Sequence, residues 1–359
     1  MLPGGVTLAQ FIEKKYGSFA QKIVSIVAII YMSAFLIAEF ASISFLFESI
    51  SDVSGIVVSS LVAATTFLYL NKSGFKASYV TDKIQGIGII LLLTLLFGLW
   101  FSQNSFDEIT NFANLGGLST FETYSLKSAL AVVIAVTAAE IFSTGYWQRT
   151  FSAVDETTIK KASLYSGLGV FITILLLGVA GAVGAGKGLE TPTLSFIDQL
   201  SLNSLTVLVL ISLATLLVTS SVDTLENAIS STISIDIVKK GSKEANNITL
   251  AVVVLALFAS TRVTNIFTVF LVADLFATSL VFPAFYKIKK ASKNIMLVVP
   301  FAGSLVSVFL YRYLFIDLQE NPGGLFVPTD LYGLADLNTF AVALLSSVIF
   351  TLVMDKFNK

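Results

Sequence analysis

The chain has 359 residues, 55% of them hydrophobic and 13% charged, with a formal net charge of −1 and a mean hydropathy of +0.86. A soluble domain carries about 25% charged residues, so this composition excludes an ordinary soluble protein and points to a polytopic membrane protein. The chain has no Cys and no His, which excludes a disulfide framework, a thiolate or imidazole metal centre and a histidine base.

The first residues, MLPGGVTLAQFIEKKYG, lack the basic n-region and apolar h-region of a signal peptide. Beyond them, spanning hydrocarbon takes about 20 apolar residues. Ten stretches qualify: 20–50, 53–70, 82–102, 126–146, 162–186, 203–237, 247–261, 264–286, 294–316 and 336–355. Only helices suit them, because a lipid-facing backbone must satisfy its own hydrogen bonds.

With ten spans the connecting segments alternate sides. Of the 22 Lys and Arg residues, 18 then fall on one side, and only Lys127, Lys187, Arg262 and Arg312 on the other. The excess marks the cytoplasmic side, so both termini are predicted to be cytoplasmic, in the cytoplasmic membrane. The loops 103–125 and 317–335 hold Asp107, Glu108, Glu122, Asp317 and Glu320 and no basic residue, which suits the outside. Basic residues come as short clusters between apolar runs, so no nucleic-acid surface is expected. The glycines Gly178, Gly181, Gly184 and Gly186, near the end of the fifth span, read as positions of close helix packing.

The sixth span contains VTSSVDTLENAISS (218–231). At 100° per residue, Val218, Val222, Leu225, Ile229 and Ile233 form one stripe, and Ser220, Asp223, Thr224, Asn227, Ser230 and Ser231 the opposite one. A charge at the bilayer centre costs at least about 2.5–3.5 kcal/mol, so the polar stripe must meet water, an ion or another polar surface. Hydroxyls at Ser220 and Ser221 could form part of an oxygen cage for a hard cation; interhelical hydrogen bonding by Ser and Thr serves equally well at this point. Glu39, Glu140 and Asp274 are further acids within spans, and each is a functional candidate or a member of an internal pair.

Four stretches together resemble the sodium:solute symporter family, which includes the sodium–proline and sodium–galactose symporters. They are TLAQFIEKKYG (7–17), SGFKASYVTDKIQG (73–86), GYWQRTFSA (145–153) and TSSVDTLENAISSTISIDIV (219–238). The resemblance implies an all-α, LeuT-like inverted-repeat transporter fold, with the substrate near the membrane midplane. It implies a sodium site formed by Ser220, Ser221 and the backbone carbonyl of Leu217. It places Thr81, Asp82 and Asp223 on the ion pathway, and Val136, Thr137, Ala139 and Glu140 at the substrate cavity. Gln148 and Arg149 become a cytoplasmic signature, where the guanidinium could cap carbonyls or pair with an acid.

Family members usually carry about thirteen helices, built on inverted repeats, and three precede the segment with which this chain begins. The resemblance therefore implies that the three N-terminal helices are missing here. It makes 1–102 the rest of the first repeat, 126–286 the five-helix second repeat and 294–355 two extra helices. Without those three helices the sodium and substrate cages are incomplete, and the isolated chain is expected to be inactive. The expected function is sodium-coupled symport of a small organic solute, with protons as the other possible coupling ion. The alternative is a membrane sensor module, or an inactive fragment of such a symporter. An enzyme is not expected.

Overall fold

The computed structural model describes residues 6–189, 195–239, 242–287, 292–317, 319–321 and 323–357; at 71–80 and 242 only the backbone is described. The described backbone is helical apart from turns and one isolated bridge, Thr329 to Ala335. In chain order the helices are α1 (Leu8–Tyr16), α2 (Ser18–Ile50), α3 (Gly55–Gln103), α4 (Phe106–Leu115), α5 (Thr123–Glu140), α6 (Thr144–Ser152) and α7 (Glu156–Gly186). They continue with α8 (Ser195–Asp198), α9 (Ser204–Thr232), α10 (Ser242–Ser260), α11 (Ile266–Phe285), α12 (Ile295–Phe315) and α13 (Leu337–Phe357). A π-helical turn, Ile233–Val238, extends α9.

Among the described residues nine helical segments are long and apolar enough to cross a membrane, and a shorter apolar one covers Gly55–Leu70. These ten segments correspond to the ten predicted spans, so the chain is a multi-pass helical membrane protein. Three local differences emerge. The predicted loop after residue 70 is helical, so α3 runs unbroken for 49 residues; 71–80 holds no Pro and one Gly, so nothing local stops the helix. The motif positions 73–80 lie outside the described side chains. The span predicted over 126–146 instead breaks at 141–143 between α5 and α6. There Phe142 N–H donates to the Ala139 carbonyl and the Trp147 indole to the Ile141 carbonyl at 2.6 Å, which satisfies groups the α-helical ladder gives up. Finally, the loop predicted over 103–125 contains α4. This helix opens with a capping box, in which Ser105 and Glu108 bond each other's backbone amides. Those bonds from Ser105 hold the exposed Glu108 carboxyl below the usual carboxylate range.

The chain divides into two compact units. One comprises 42–122 and 152–223. Its core gathers Leu92, Leu96 and Trp100 of α3, Ile109 and Ala113 of α4, Ala180 and Val183 of α7, and Leu210 of α9. The Trp100 indole donates to Gln199 Oε1 at 2.9 Å, and Gln199 donates to the Ala180 carbonyl at 2.8 Å. Helices α4 and α7 touch backbone to backbone: a Cβ on Gly186 would lie 1.9 Å from the Phe112 carbonyl oxygen, and one on Gly116 would lie 1.9 Å from that of Ala182. The predicted glycine packing therefore holds at Gly186, and at Gly184 against Ser195 and Gln199. Among the described residues it has no counterpart at Gly178 and Gly181, where an added Cβ meets nothing within 4 Å. Gly186→Ala is expected to displace α4 and lower the melting temperature of the purified protein, because a backbone carbonyl cannot yield as a side chain can. Gly178→Ala should leave that temperature unchanged or raise it, since Ala is the better helix former.

The other unit comprises 1–41, 123–151 and 224–359. In it Ala131 and Ala135 of α5 pack on Leu271 and Leu275 of α11, with Val308 of α12 and Phe340 and Ala343 of α13 completing the cluster. Small residues on α5 let α11 approach closely. Helix α1 caps the end of α11: Tyr16 OH donates to the Pro283 carbonyl at 2.7 Å, and Lys15 Nζ donates to the carbonyls of Ala284, at 3.3 Å, and Tyr286. These carbonyls lie where a helix runs out of its own donors.

Burial lowers the Lys15 ammonium from 10.5 to about 8. The folded state then binds this proton less tightly than the unfolded chain, so stability gained through Lys15 grows as pH rises from about 8 toward 10.5. Resistance of α1 to proteolysis should increase across that window, and Lys15→Met should flatten the profile.

Candidate functional site

Three polar clusters accompany the long helices. The first lies on α9 in the unit made of 42–122 and 152–223. Leu217, Ser220 and Ser221 are half-buried there, while Asp223 is fully buried. The Asp223 carboxylate accepts hydrogen bonds from Thr81 Oγ1, at 2.9 Å, and from Tyr69 OH. Two of the predicted ion-pathway residues, Thr81 and Asp223, are thus directly bonded. Asp82, the third, is half-buried beside Thr81 on α3. Tyr69 was not singled out from the sequence; its only local signal is a phenol at the polar end of an apolar run.

The second cluster joins α6 to the rest of α9 within the other unit. Arg149 Nη2 donates to Thr224 Oγ1 at 2.9 Å, Asn227 Nδ2 donates to Gln148 Oε1 at 3.0 Å, and the hydroxyls of Thr144 and Thr232 share a hydrogen bond of 2.9 Å. Arg149 Nη1 also donates to the Gly145 carbonyl at 3.2 Å, a side-chain cap inside α6. The polar stripe on this part of α9 therefore meets the polar face of α6. Desolvation explains the pairing: each of these groups would cost about 1–3 kcal/mol if buried without a partner.

The third cluster forms where α5 ends, in that same unit. Glu140 is half-buried, and the hydroxyls of Tyr31 on α2 and Tyr146 on α6 are its side-chain hydrogen-bonding neighbours. Asp274 on α11, 3% exposed, brings a second carboxyl into the neighbourhood of Glu140 and Tyr31. Among the described residues, no Lys or Arg pairs with Glu140 or Asp274. Tyr31 packs edge-on against Phe35 at 4.9 Å between ring centroids, and Phe35 lies 4.5 Å from Phe270. The C-terminal end of a helix already carries about half a negative charge, so a carboxylate in the last position of α5 concentrates negative potential there. Of the other predicted cavity residues, Ala139 is fully buried, and Val136 and Thr137 lie on the exposed face of α5. The ligating atoms that the clusters offer a cation are oxygens of hydroxyls, carboxylates and carbonyls, which suit hard monovalent cations and ammonium groups.

No protein-family profile matches the chain. Over 369 aligned residues, covering 98% of this chain and 70% of the relative, the chain is 22% identical to the spermidine transporter DUR31 of Candida albicans. A multi-pass helical structure and a distant relative that is a transporter together support a membrane transporter for a small solute.

Proposed function

We propose that the chain is a secondary transporter of the cytoplasmic membrane that carries a small organic amine of the polyamine class, driven by sodium. The observation that carries the solute class is the pair Glu140 and Asp274, two carboxylates on packed helices with no basic side chain among the described residues to neutralise them. A linear polyamine supplies ammonium groups for both. Glu140 would take one ammonium, aided by the negative end of α5. Asp274 would take another. The similarity to a spermidine transporter supports the same chemistry.

In this reading the coupling ion binds α9 at the carbonyl of Leu217 and the hydroxyls of Ser220 and Ser221, in a LeuT-like inverted-repeat arrangement with both termini cytoplasmic. Thr81, Asp82 and Asp223 line its way out. Coupling is reciprocal: if sodium raises amine affinity by some factor, the amine raises sodium affinity by that factor. Gln148 and Arg149 act through their bonds to Asn227 and Thr224, which hold α6 against α9.

The test is uptake of radiolabelled spermidine into proteoliposomes holding the protein purified at its natural length. An inward sodium gradient should accelerate uptake. Ser220→Ala combined with Ser221→Ala should raise the sodium concentration for half-maximal uptake at least about tenfold, the effect of losing about 1.4 kcal/mol of ion binding. An unchanged sodium dependence in the double variant removes the sodium assignment. Uptake that follows an inward proton gradient and ignores sodium makes the proton the coupling ion.

A further inference from the structure

A fourth polar cluster belongs to none of these sites. Asp236 lies in the π-helical turn at the end of α9 and is completely buried. Its Oδ1 accepts from Thr7 Oγ1 at 3.0 Å and from Gln21 Nε2 at 2.9 Å. Its Oδ2 has no hydrogen-bond partner among the described residues, and neither does Gln21 Oε1, on a side chain that is itself 1% exposed. Ser25 also neighbours Asp236, but a hydroxyl has one proton to give, and Ser25 gives it to the Gln21 backbone carbonyl at 2.9 Å. Two buried acceptors therefore lack a donor, on two side chains already joined by one hydrogen bond.

One proton supplies what both lack. A carboxylic acid and a primary amide facing each other close a ring of two hydrogen bonds: amide N–H to one carboxyl oxygen, and carboxyl O–H to the amide oxygen. The first bond of that ring is present, and a second would give both lone acceptors a partner. Turning the Gln21 amide over does not help, because it would set two oxygens against each other. An ionised Asp236 would instead hold a buried charge without a cation, at a cost of several kcal/mol.

The surrounding charges do not change this. The charge that reaches Asp236 is that of Glu13 on α1, which is negative and is paired with Lys239 at 2.5 Å. On the same elements Lys14 and Lys22 are exposed, and Lys15 is engaged at the end of α11. On α10, which packs against the π turn, Lys243 and Glu244 are exposed.

We propose that Asp236 and Gln21 form a proton-binding site, with Asp236 held as the neutral acid while α1 and α2 are packed on it. Loss of the proton puts an ion in that pocket and loosens the Thr7 and Gln21 contacts, so proton occupancy governs how firmly α1 and α2 hold the end of α9. The proposal is independent of the solute and of the coupling ion.

The experiment is infrared spectroscopy and thermal unfolding of the purified full chain in nanodiscs. Asp236→Asn places an N–H where the acid O–H is and should fold. The wild type should show a protonated-carboxyl carbonyl band at about pH 5, where an ordinary Asp is already ionised, and Asp236→Asn should lack it. Gln21→Met, which keeps the carboxyl, should shift that band. As pH rises from about 4 to about 7, the wild type should lose melting temperature relative to Asp236→Asn, because a proton held by the packed pair stabilises the folded state while it is bound and not once it has left. Taking the difference between the two proteins cancels Lys15. A band unchanged in both variants overturns the proposal, as does failure of Asp236→Asn to fold when Gln21→Met folds. A melting difference that follows sodium concentration at constant pH also overturns it, because a metal cation then fills the pair.

Discussion

Arg312→Ala is expected to leave the chain unable to hold the segment after α12, and to cost more stability than Gly186→Ala or any substitution in the transport site. Arg312 is completely buried, and its guanidinium serves five acceptors. Nε donates to the Gly324 carbonyl, Nη1 to Thr339 Oγ1 at 2.6 Å and to Asp336 at 3.4 Å, and Nη2 to the carbonyls of Val327, at 2.7 Å, and Thr329, at 3.0 Å. One planar fork thus organises the loop that joins α12 to α13. Removing it orphans the Gly324 and Thr329 carbonyls at about 1–3 kcal/mol each, while the Val327 carbonyl keeps its bond from Thr329 N–H. It also takes the guanidinium away from the half-buried Asp336, and a hydrogen bond to a charged group is worth about 1.5–3 kcal/mol. Such losses do not add fully, yet several kcal/mol is a large share of a stability of about 5–15 kcal/mol. The measurements are the yield of monodisperse protein and its melting temperature. Arg312→Lys should recover only part of the loss, because an ammonium has three donors and cannot span the fork. An Arg312→Ala protein that melts within a degree or two of the wild type would show that the loop is held by other contacts.

Glu140→Gln is expected to be the most damaging change to transport that spares the fold. Gln keeps the shape and can still face Tyr31 and Tyr146, so the melting temperature should hold. What disappears is the charge in the last position of α5. A charge-assisted hydrogen bond is worth about 1.5–3 kcal/mol, so spermidine affinity should fall roughly 10- to 100-fold. Asp274→Asn should act in the same direction, and the double variant should fall short of the sum, because both carboxylates serve one polycation. Val133→Ala, exposed on α5 and outside the predicted cavity residues, is the control and should leave affinity alone. Binding of labelled spermidine at fixed sodium separates solute recognition from ion coupling. Unchanged affinity in Glu140→Gln would remove the amine site from this end of α5.

Glu140 and Asp274 stand out in the sequence, because an acid inside an apolar span is costly wherever it lies along the chain. Arg312, by contrast, reads there as one of four basic residues on the sparsely charged side. Its role as the organiser of a loop depends on carbonyls contributed by 324–329 and on Thr339 and Asp336, which only the folded chain brings around it.

The features readable along the chain follow from local physics. The ten apolar segments were legible because a helix must be about as long as the hydrocarbon is thick. The amphipathic character of α9 was legible because side-chain direction repeats every 3.6 residues. The partners were not legible, because a hydrogen bond between distant residues depends on packing register, which no local period encodes. Thr81 meets Asp223 across 142 positions, Gln148 meets Asn227 across 79, and Gln21 meets Asp236 across 215. The glycines of α7 show the same division within one helix. Gly178 and Gly186 are alike in sequence, yet folding sets a backbone carbonyl against Gly186 and leaves open space beside Gly178.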